Sequence, residues 1–439
     1  MRDLSLVLCF AFCLWITLRY PFGGILTWGW LTYMNPHMAV YSFALSFPFN
    51  MAISAVTFVM LVAKKQLSKP PGGIVLYSMI FLCVWTTMTT IFAYDSSWSA
   101  RYLDLTIKTF IFVFLVMSTA NTKARIHGLI WIIVISVGYY GVKGGAFTII
   151  SGGSEKVFGP DNTIISDNNQ LGLALVLILP LCNYLRMQLK NPLLALGMSL
   201  TMCLEVVAAL GTYSRGAMIA LSVVSGLLWL SSKNKIFSAV AFVIIGGAAL
   251  NFMPTSFWDR MHTMHDVAEG EDTSFSGRLD AWYVATSYAI DHFPIGAGFA
   301  GPQLKPIFEY YLPGHDNHAA HSIYFQVLGE HGFFALLVYV IMLIASVVNY
   351  QWVADQAKRW PGWEWMVDLT RMARLSLISF YIGGAALSMA YYDVMLTLLG
   401  LSAVLRQLVT VHKQSLIAAR HLADTSDDAA LHQIPASGR

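Results

Sequence analysis

Residues 322–349 read SIYFQVLGEHGFFALLVYVIMLIASVVN, a stretch with no Lys, Arg or Asp and a single Glu. At about 1.5 Å per residue, a helix of this length exceeds the roughly 30 Å hydrocarbon core of a bilayer. Comparable apolar runs recur at roughly 4–20, 48–63, 73–93, 102–120, 126–150, 168–186, 193–211, 215–231, 236–253, 371–391 and 395–411. In hydrocarbon every backbone polar group needs an internal partner, and these runs lack the apolar–polar alternation of barrel strands. The pattern predicts an all-α integral membrane protein of about 12 transmembrane helices. Segment 21–36, bracketed by Tyr20-Pro21 and Asn35-Pro36, is a shorter apolar piece that either crosses or re-enters.

Composition agrees. Of 439 residues, 56% are apolar and 12% charged, against about 25% charged in a soluble chain. The net charge of +3 is too small to draw a nucleic-acid partner. Cys9, Cys13, Cys83, Cys182 and Cys203 all lie in apolar runs without C-x-x-C spacing, which reads as buried free thiols rather than a metal site. Arg2 precedes the first apolar run, Arg19 follows it, and no small-residue cleavage site is evident. The run is therefore expected to be an uncleaved first span.

Orientation follows from Lys and Arg in the short loops. Lys64, Lys65 and Lys69 share one loop and Lys123 with Arg125 the next on that side. Arg186 with Lys190, Lys233 with Lys235, and Lys358, Arg359, Arg371 with Arg374 continue in register. These loops are expected to be cytoplasmic, and 94–101, 151–167, 212–214, 254–321 and 392–394 to face outward. The domain reading is a polytopic transmembrane domain over 1–412, a large outer loop at 254–321 inserted within it, and a polar, disordered cytoplasmic tail at 413–439.

The outer loop is too long to be a mere connector. Leu279, Trp282, Tyr283, Ala289 and Ile290 form an amphipathic stripe over 277–292, with Ser276 as the expected N-cap. Arg278 then falls in the first turn, where the helix dipole disfavours a cation unless it faces an anion or pairs locally with Asp280. Gly296-Ala-Gly298-Phe-Ala-Gly301 matches G-x-G-x-x-G, but it runs into Pro302 and lacks a preceding strand. It reads as a chain-reversing turn. Arg215, in Thr212-Tyr213-Ser214-Arg215-Gly216, stands at the outer mouth of a tight hairpin, where it either snorkels or clamps a phosphate.

His315-Asp316-Asn317-His318-Ala-Ala-His321-Ser322 precedes the quoted stretch. The three histidines lack H-E-x-x-H or a nearby cysteine, so no metal is expected. His321, at a helix start, should be held neutral by the helix field and can act as a base. Asp104 with Lys108, Lys143, Glu205 and Asp393 are ionisable residues in or near spans, expected to face the interior or an aqueous cavity. Glu205 is a candidate support or proton path for Arg215. Asn168, Asn169 and Gln170 open another span at the outer side and are candidates to line the same cavity.

Taken in order, Ser214-Arg215-Gly216-Ala217, Ser276-Gly277-Arg278-Leu279, Pro294-Ile295-Gly296-Ala297-Gly298 and Ala320-His321-Ser322 resemble the O-antigen ligase and polymerase family, over roughly 165–400. Met34-Asn35-Pro36-His37 and Ser46-Phe47-Pro48-Phe49 are similar to the N-terminal region of O-glycosylation ligases of some Gram-negative bacteria. The resemblance implies a bundle related to lipid-linked-sugar (GT-C-like) glycosyltransferases in the bacterial inner membrane, with its active site facing the periplasm. It implies a metal- and cofactor-independent, inverting transfer of polysaccharide from undecaprenyl diphosphate to a hydroxyl of lipid A-core. Carried over residue by residue, it makes Arg215 and Arg278 the diphosphate ligands and His321 the catalytic base. His318, Ser214, Asn169, Glu205 and Asp393 are candidate supports. His315 and His318 depart from the usual pattern and leave a second choice of base open. A polymerase or protein O-glycosylation ligase shares these motifs. A flippase or transporter fits less well, since the arginines and histidine gather on the outer side and no internal repeat is visible.

Overall fold

The computed structural model describes residues 2–41, 43–232, 234–262 and 273–431; Lys233, positions 263–272 of the outer loop and 432–439 of the tail lie outside the described residues. Within them every regular element is helical. In chain order the α-helices are α1 (Arg2–Arg19), α2 (Pro21–Met34), α3 (Phe49–Ala63), α4 (Ile74–Ile91), α5 (Ser96–Thr119) and α6 (Lys123–Ile150). Next come α7 (Asn168–Gln188), α8 (Pro192–Gly211), α9 (Arg215–Ser231), α10 (Lys235–Phe252) and α11 (Thr255–His262). The series closes with α12 (Thr273–Asp291), α13 (Lys305–Tyr311), α14 (Ile323–Ala357), α15 (Glu364–Gly384) and α16 (Asp393–Leu431). Side chains set several starts: Asp95, Thr122, Asp167, Asn191 and Ser214 each accept a backbone N–H from the first turn that follows.

All twelve expected apolar runs fall on helices. Among the described residues seven helices are long and apolar enough to cross a membrane: α4, α5, α6, α7, α8, α14 and the Asp393–Ala419 part of α16. Phe49–Ala63 and Arg215–Ser231 are shorter apolar helices. α8 leaves Leu193, Leu196 and Leu200 exposed, as a lipid-facing wall requires. α7, by contrast, is buried nearly all round, from Leu171 to Leu185, and packs against α6, α8, α9 and α15 at the centre of the bundle. Close helix approach rests on a missing side chain. A Cβ at Gly145 of α6 would lie 2.3 Å from the Leu204 carbonyl oxygen of α8.

Several boundaries differ from expectation. The expected span 371–391 is a helix from Glu364 to Gly384, ending at a glycine pair whose bare backbone packs on Gly216 and Ile323. α16 runs on past the apolar segment to Leu431. α12 begins at Thr273, so Ser276 lies inside the helix rather than capping it, and Arg278 falls in its second turn. Segment 21–34 is helical and packs against α3 and α6. Lys64, at the end of α3, donates to the carbonyls of Leu18 and Arg19, both at 2.7 Å. At the other end of α1, Arg2 donates to the Tyr41 hydroxyl at 2.9 Å.

The quoted stretch is one helix with a break. Gly332 has φ 79 and ψ −177 inside α14, and the Gly-rich turn fills the gap this leaves. Ala297 N–H donates to the Gly329 carbonyl and Gly298 N–H to that of Glu330, both at 2.9 Å. The Glu330 carboxylate accepts from Ala300 N–H at 2.9 Å and from the Tyr391 hydroxyl at 2.8 Å. Segment 296–301 is thus the chain-reversing turn expected of it.

Candidate functional site

The end of the bundle poor in Lys and Arg, called the outer end below, carries the predicted site residues in two turns. The first joins α8 to α9. Ser214, fully buried, caps α9 by accepting Ala217 N–H at 3.2 Å. Arg215 follows as the first helical residue. Tyr213 takes the left-handed conformation at φ 57, with its hydroxyl donated to the Gly153 carbonyl at 2.5 Å. The start of α7 braces this turn, for Asn168 Nδ2 donates to the Thr212 carbonyl at 2.6 Å.

The second turn leads into α14. His321 is also left-handed, at φ 43, an uncommon conformation for a residue with a Cβ. The chain around it is clamped by α12. Trp282 Nε1 donates to the Ala320 carbonyl at 2.6 Å, and the indole stacks on Phe325 at 4.7 Å and 8°. His318 lies over Gly277; a Cβ there would be 2.8 Å from its Cδ2. Arg278 is the next residue of α12 and is half-buried.

Burial, followed by the Arg278 guanidinium, lowers the His321 pKa from its ordinary 6.5; His318 adds to this and Asp167 opposes it. Arg278, His318 and Asp167 therefore all act on the charge of His321. Burial and a neighbouring cation both favour the neutral imidazole. At neutral pH it is free to accept a proton.

The start of α9, which carries Arg215, and the start of α14 both pack on the backbone at the end of α15. Gly216 would place a Cβ 3.6 Å from the Gly383 carbonyl oxygen, and Gly384 would place one 3.0 Å from Ile323, two residues after His321. Gln170 Nε2 extends the link, donating to the Ser388 carbonyl at 3.4 Å. The helix starts that carry Arg215 and follow His321 thus flank one glycine pair.

Of the remaining candidates, Asn169 stays with Asp167 and the others turn to different partners. Asn169 is turned toward Asp167, with Nδ2 2.9 Å from its Oδ1. His315 is drawn away to Asp280, Nδ1 to Oδ2 at 2.9 Å. Glu205 is buried between helices, its carboxylate accepting the Cys182 thiol at 3.2 Å, and lies a turn and a half before the end of α8. Asp393 accepts from Thr109 of α5 at 2.5 Å. Neither carboxylate lies with the arginines. Lys143 and the Asp104–Lys108 pair, 2.5 Å apart, are exposed rather than turned inward. Among the described residues no three His, Cys, Asp or Glu side chains gather closely enough to hold a metal ion.

Two features escape a reading of the sequence for motifs. Asp167 is a helix cap beside His321, far from it in sequence and without a motif of its own. Glu330 and His331 form a polar pair at the break in α14, with His331 Nδ1 2.6 Å from Thr89 Oγ1. Their signal is two ionisable residues side by side in an otherwise apolar run.

Fold and site together define a multi-pass helical membrane protein with a neutral histidine and a guanidinium beside each other at the outer helix ends. Residues 198–340, which include Arg215, Arg278 and His321, match the family described as O-Antigen ligase. Residues 1–190 match a family of unknown function. No curated protein matches the chain. The family supports an O-antigen ligase- or polymerase-type function in general.

Proposed function

We propose that the protein is a metal-independent glycosyltransferase. In this reading it moves a polysaccharide from undecaprenyl diphosphate to a hydroxyl of lipid A-core at the periplasmic face of the bacterial inner membrane. The observation that carries it is the pairing of a neutral, buried-side His321 with Arg278 in the segment matched to the family. The acceptor hydroxyl gives its proton to His321 as its oxygen bonds to the anomeric carbon. The bond from that carbon to the diphosphate oxygen breaks, and the electron pair leaves with the diphosphate. Arg215 and Arg278 hold the departing charge with guanidinium donors aimed at phosphate. Attack opposite the leaving group inverts the anomeric centre. Both substrates carry lipid tails and approach through the outer leaflet.

The test is reconstitution of the purified chain with lipid-linked glycan and lipid A-core, with and without chelator. Product is expected to form in chelator and to fall about 10²–10⁴-fold in His321→Ala. In Arg215→Ala it should fall about 10²–10³-fold. Loss of product on chelation would contradict the metal-independent displacement. Extension of the lipid-linked glycan without transfer to lipid A-core would reassign the enzyme as a polymerase, and transfer to protein as an O-glycosylation ligase. Movement across the bilayer with no new glycosidic bond would make it a transporter.

A further inference from the structure

A groove of about 570 Å³ opens between α4, α14 and α16, far from His321. Its size falls in the range of small-molecule sites, about 300–1,000 Å³. The wall is apolar and open to the side: Ile341 is 41% exposed, Ile344 59%, Val348 54% and Ile74 60%. Ala345 and Ala403 keep it deep. At one end the lining turns polar with Arg406, Gln407 and Thr410, beside Gly72 and Gly73.

Arg406 is not a side chain trailing into water. Its Nη1 donates to Asn349 Oδ1 at 2.6 Å, and its guanidinium lies 5.1 Å from the centre of the Trp352 ring. Asn349 is itself buried, with Nδ2 3.4 Å from Ser402 Oγ. A snorkelling arginine needs no such seat. The guanidinium has five donors in a fixed fork, and the Asn349 bond engages Nη1. The backbone at Gly73 leaves space beside it, since a Cβ there would meet nothing within 4 Å.

Depth selects the occupant. Gly73 opens α4 just after the loop of Lys64, Lys65 and Lys69, and Arg406 lines the groove at that level. Loops rich in Lys and Arg mark the cytoplasmic side, whose leaflet carries the anionic lipids. We propose that the groove binds an anionic phospholipid of the cytoplasmic leaflet, with an acyl chain along Ile341, Ile344 and Val348 and its phosphate at Arg406. The site takes no part in glycan transfer and stands independently of it.

The experiment is native mass spectrometry of the full chain, delipidated in a neutral detergent. Dioleoylphosphatidylglycerol, dioleoylphosphatidylcholine or inorganic phosphate is titrated in separate arms. One phosphatidylglycerol is expected to bind about tenfold more tightly than phosphatidylcholine, the preference disappearing in Arg406→Gln. Ala345→Phe, which fills the groove and leaves the arginine in place, should weaken both lipids. A monodisperse elution peak confirms that each variant is folded, and Arg406→Met, which also removes the charge, stands in should Arg406→Gln not be. Equal binding of the two lipids, or undiminished phosphatidylglycerol binding in both Arg406→Gln and Ala345→Phe, overturns the proposal. So does capture of inorganic phosphate at Arg406 without selectivity between the lipids, which would make it a free-anion site.

Discussion

His321 sits in tension with its neighbour. A base benefits from a higher pKa, yet burial and the Arg278 guanidinium push its pKa below 6.5. In the proposed reaction the donor's diphosphate binds at that guanidinium, which cancels part of the field and returns basicity to the imidazole. His321 must be neutral to act, so activity is lost as pH falls through its pKa. The pH profile of kcat/KM reports the free enzyme and that of kcat the enzyme with donor bound. The acid limb of kcat/KM is therefore expected below pH 6.5, with that of kcat displaced to higher pH. Initial rates across pH 4.5–8 (roughly two units either side of an ordinary histidine) measure both. Coincident limbs would show that Arg278 and the diphosphate do not meet beside His321. The arginines and histidine were legible as residue types in a recognisable order. Asp167 was not, because a cap acquires its electrostatic role only once α7 is brought against the turn at His321.

At the scale of elements, α14 and the Gly-rich turn form one unit. Breaking a helix leaves carbonyls without partners, and Ala297 and Gly298 supply their N–H groups to two of them. Gly332 at φ 79 and ψ −177 occupies a region essentially confined to glycine, and a Cβ there would lie 2.3 Å from the Pro294 carbonyl oxygen. Gly332→Ala is expected to cost at least ~2 kcal/mol and to lower Tm in detergent by several degrees. Gly226→Ala is the control. That glycine lies within α9 with nothing within 4 Å of a Cβ, so alanine there should be neutral or slightly stabilising. Equal Tm values for the two variants would contradict the structural reading of the break. Composition showed that 296–301 turns, but its partner lies thirty residues away and could not be read from local pattern. The early start of α12 was hidden for a related reason. Thr273, Ser274 and Ser276 are all acceptable at a helix start, so propensity alone does not choose among them.

Across the whole molecule, hydropathy and the alternation of Lys- and Arg-rich loops were enough to place the apolar helices, because the bilayer penalises every alternative. They were not enough for segment 21–36, which is too short for length to decide. Contacts at both ends of α1 now bear on it. Lys64, in a loop expected to be cytoplasmic, donates to Leu18 and Arg19, which puts the α1–α2 junction at the same end of the bundle as that loop. Arg2 meets Tyr41 at the opposite end, in the segment between α2 and α3. On these contacts α2 is expected to cross between the two faces rather than re-enter. The expected count is then thirteen passes rather than about twelve, with the α16 end on the side of the Lys- and Arg-rich loops. The prediction is tested by single cysteines in a background whose five native cysteines are replaced by Ala. Tyr20, 72% exposed at the α1–α2 junction, is the informative position, and exposed Ser46, before α3, is the outward reference. A membrane-impermeant maleimide added to intact spheroplasts should label Ser46→Cys and spare Tyr20→Cys until the membrane is permeabilised. Labelling of Tyr20→Cys from outside would contradict a crossing α2 and return the chain to twelve spans with a re-entrant segment, whereas protection of Ser46→Cys would contradict the outward side of the α2–α3 segment in either count.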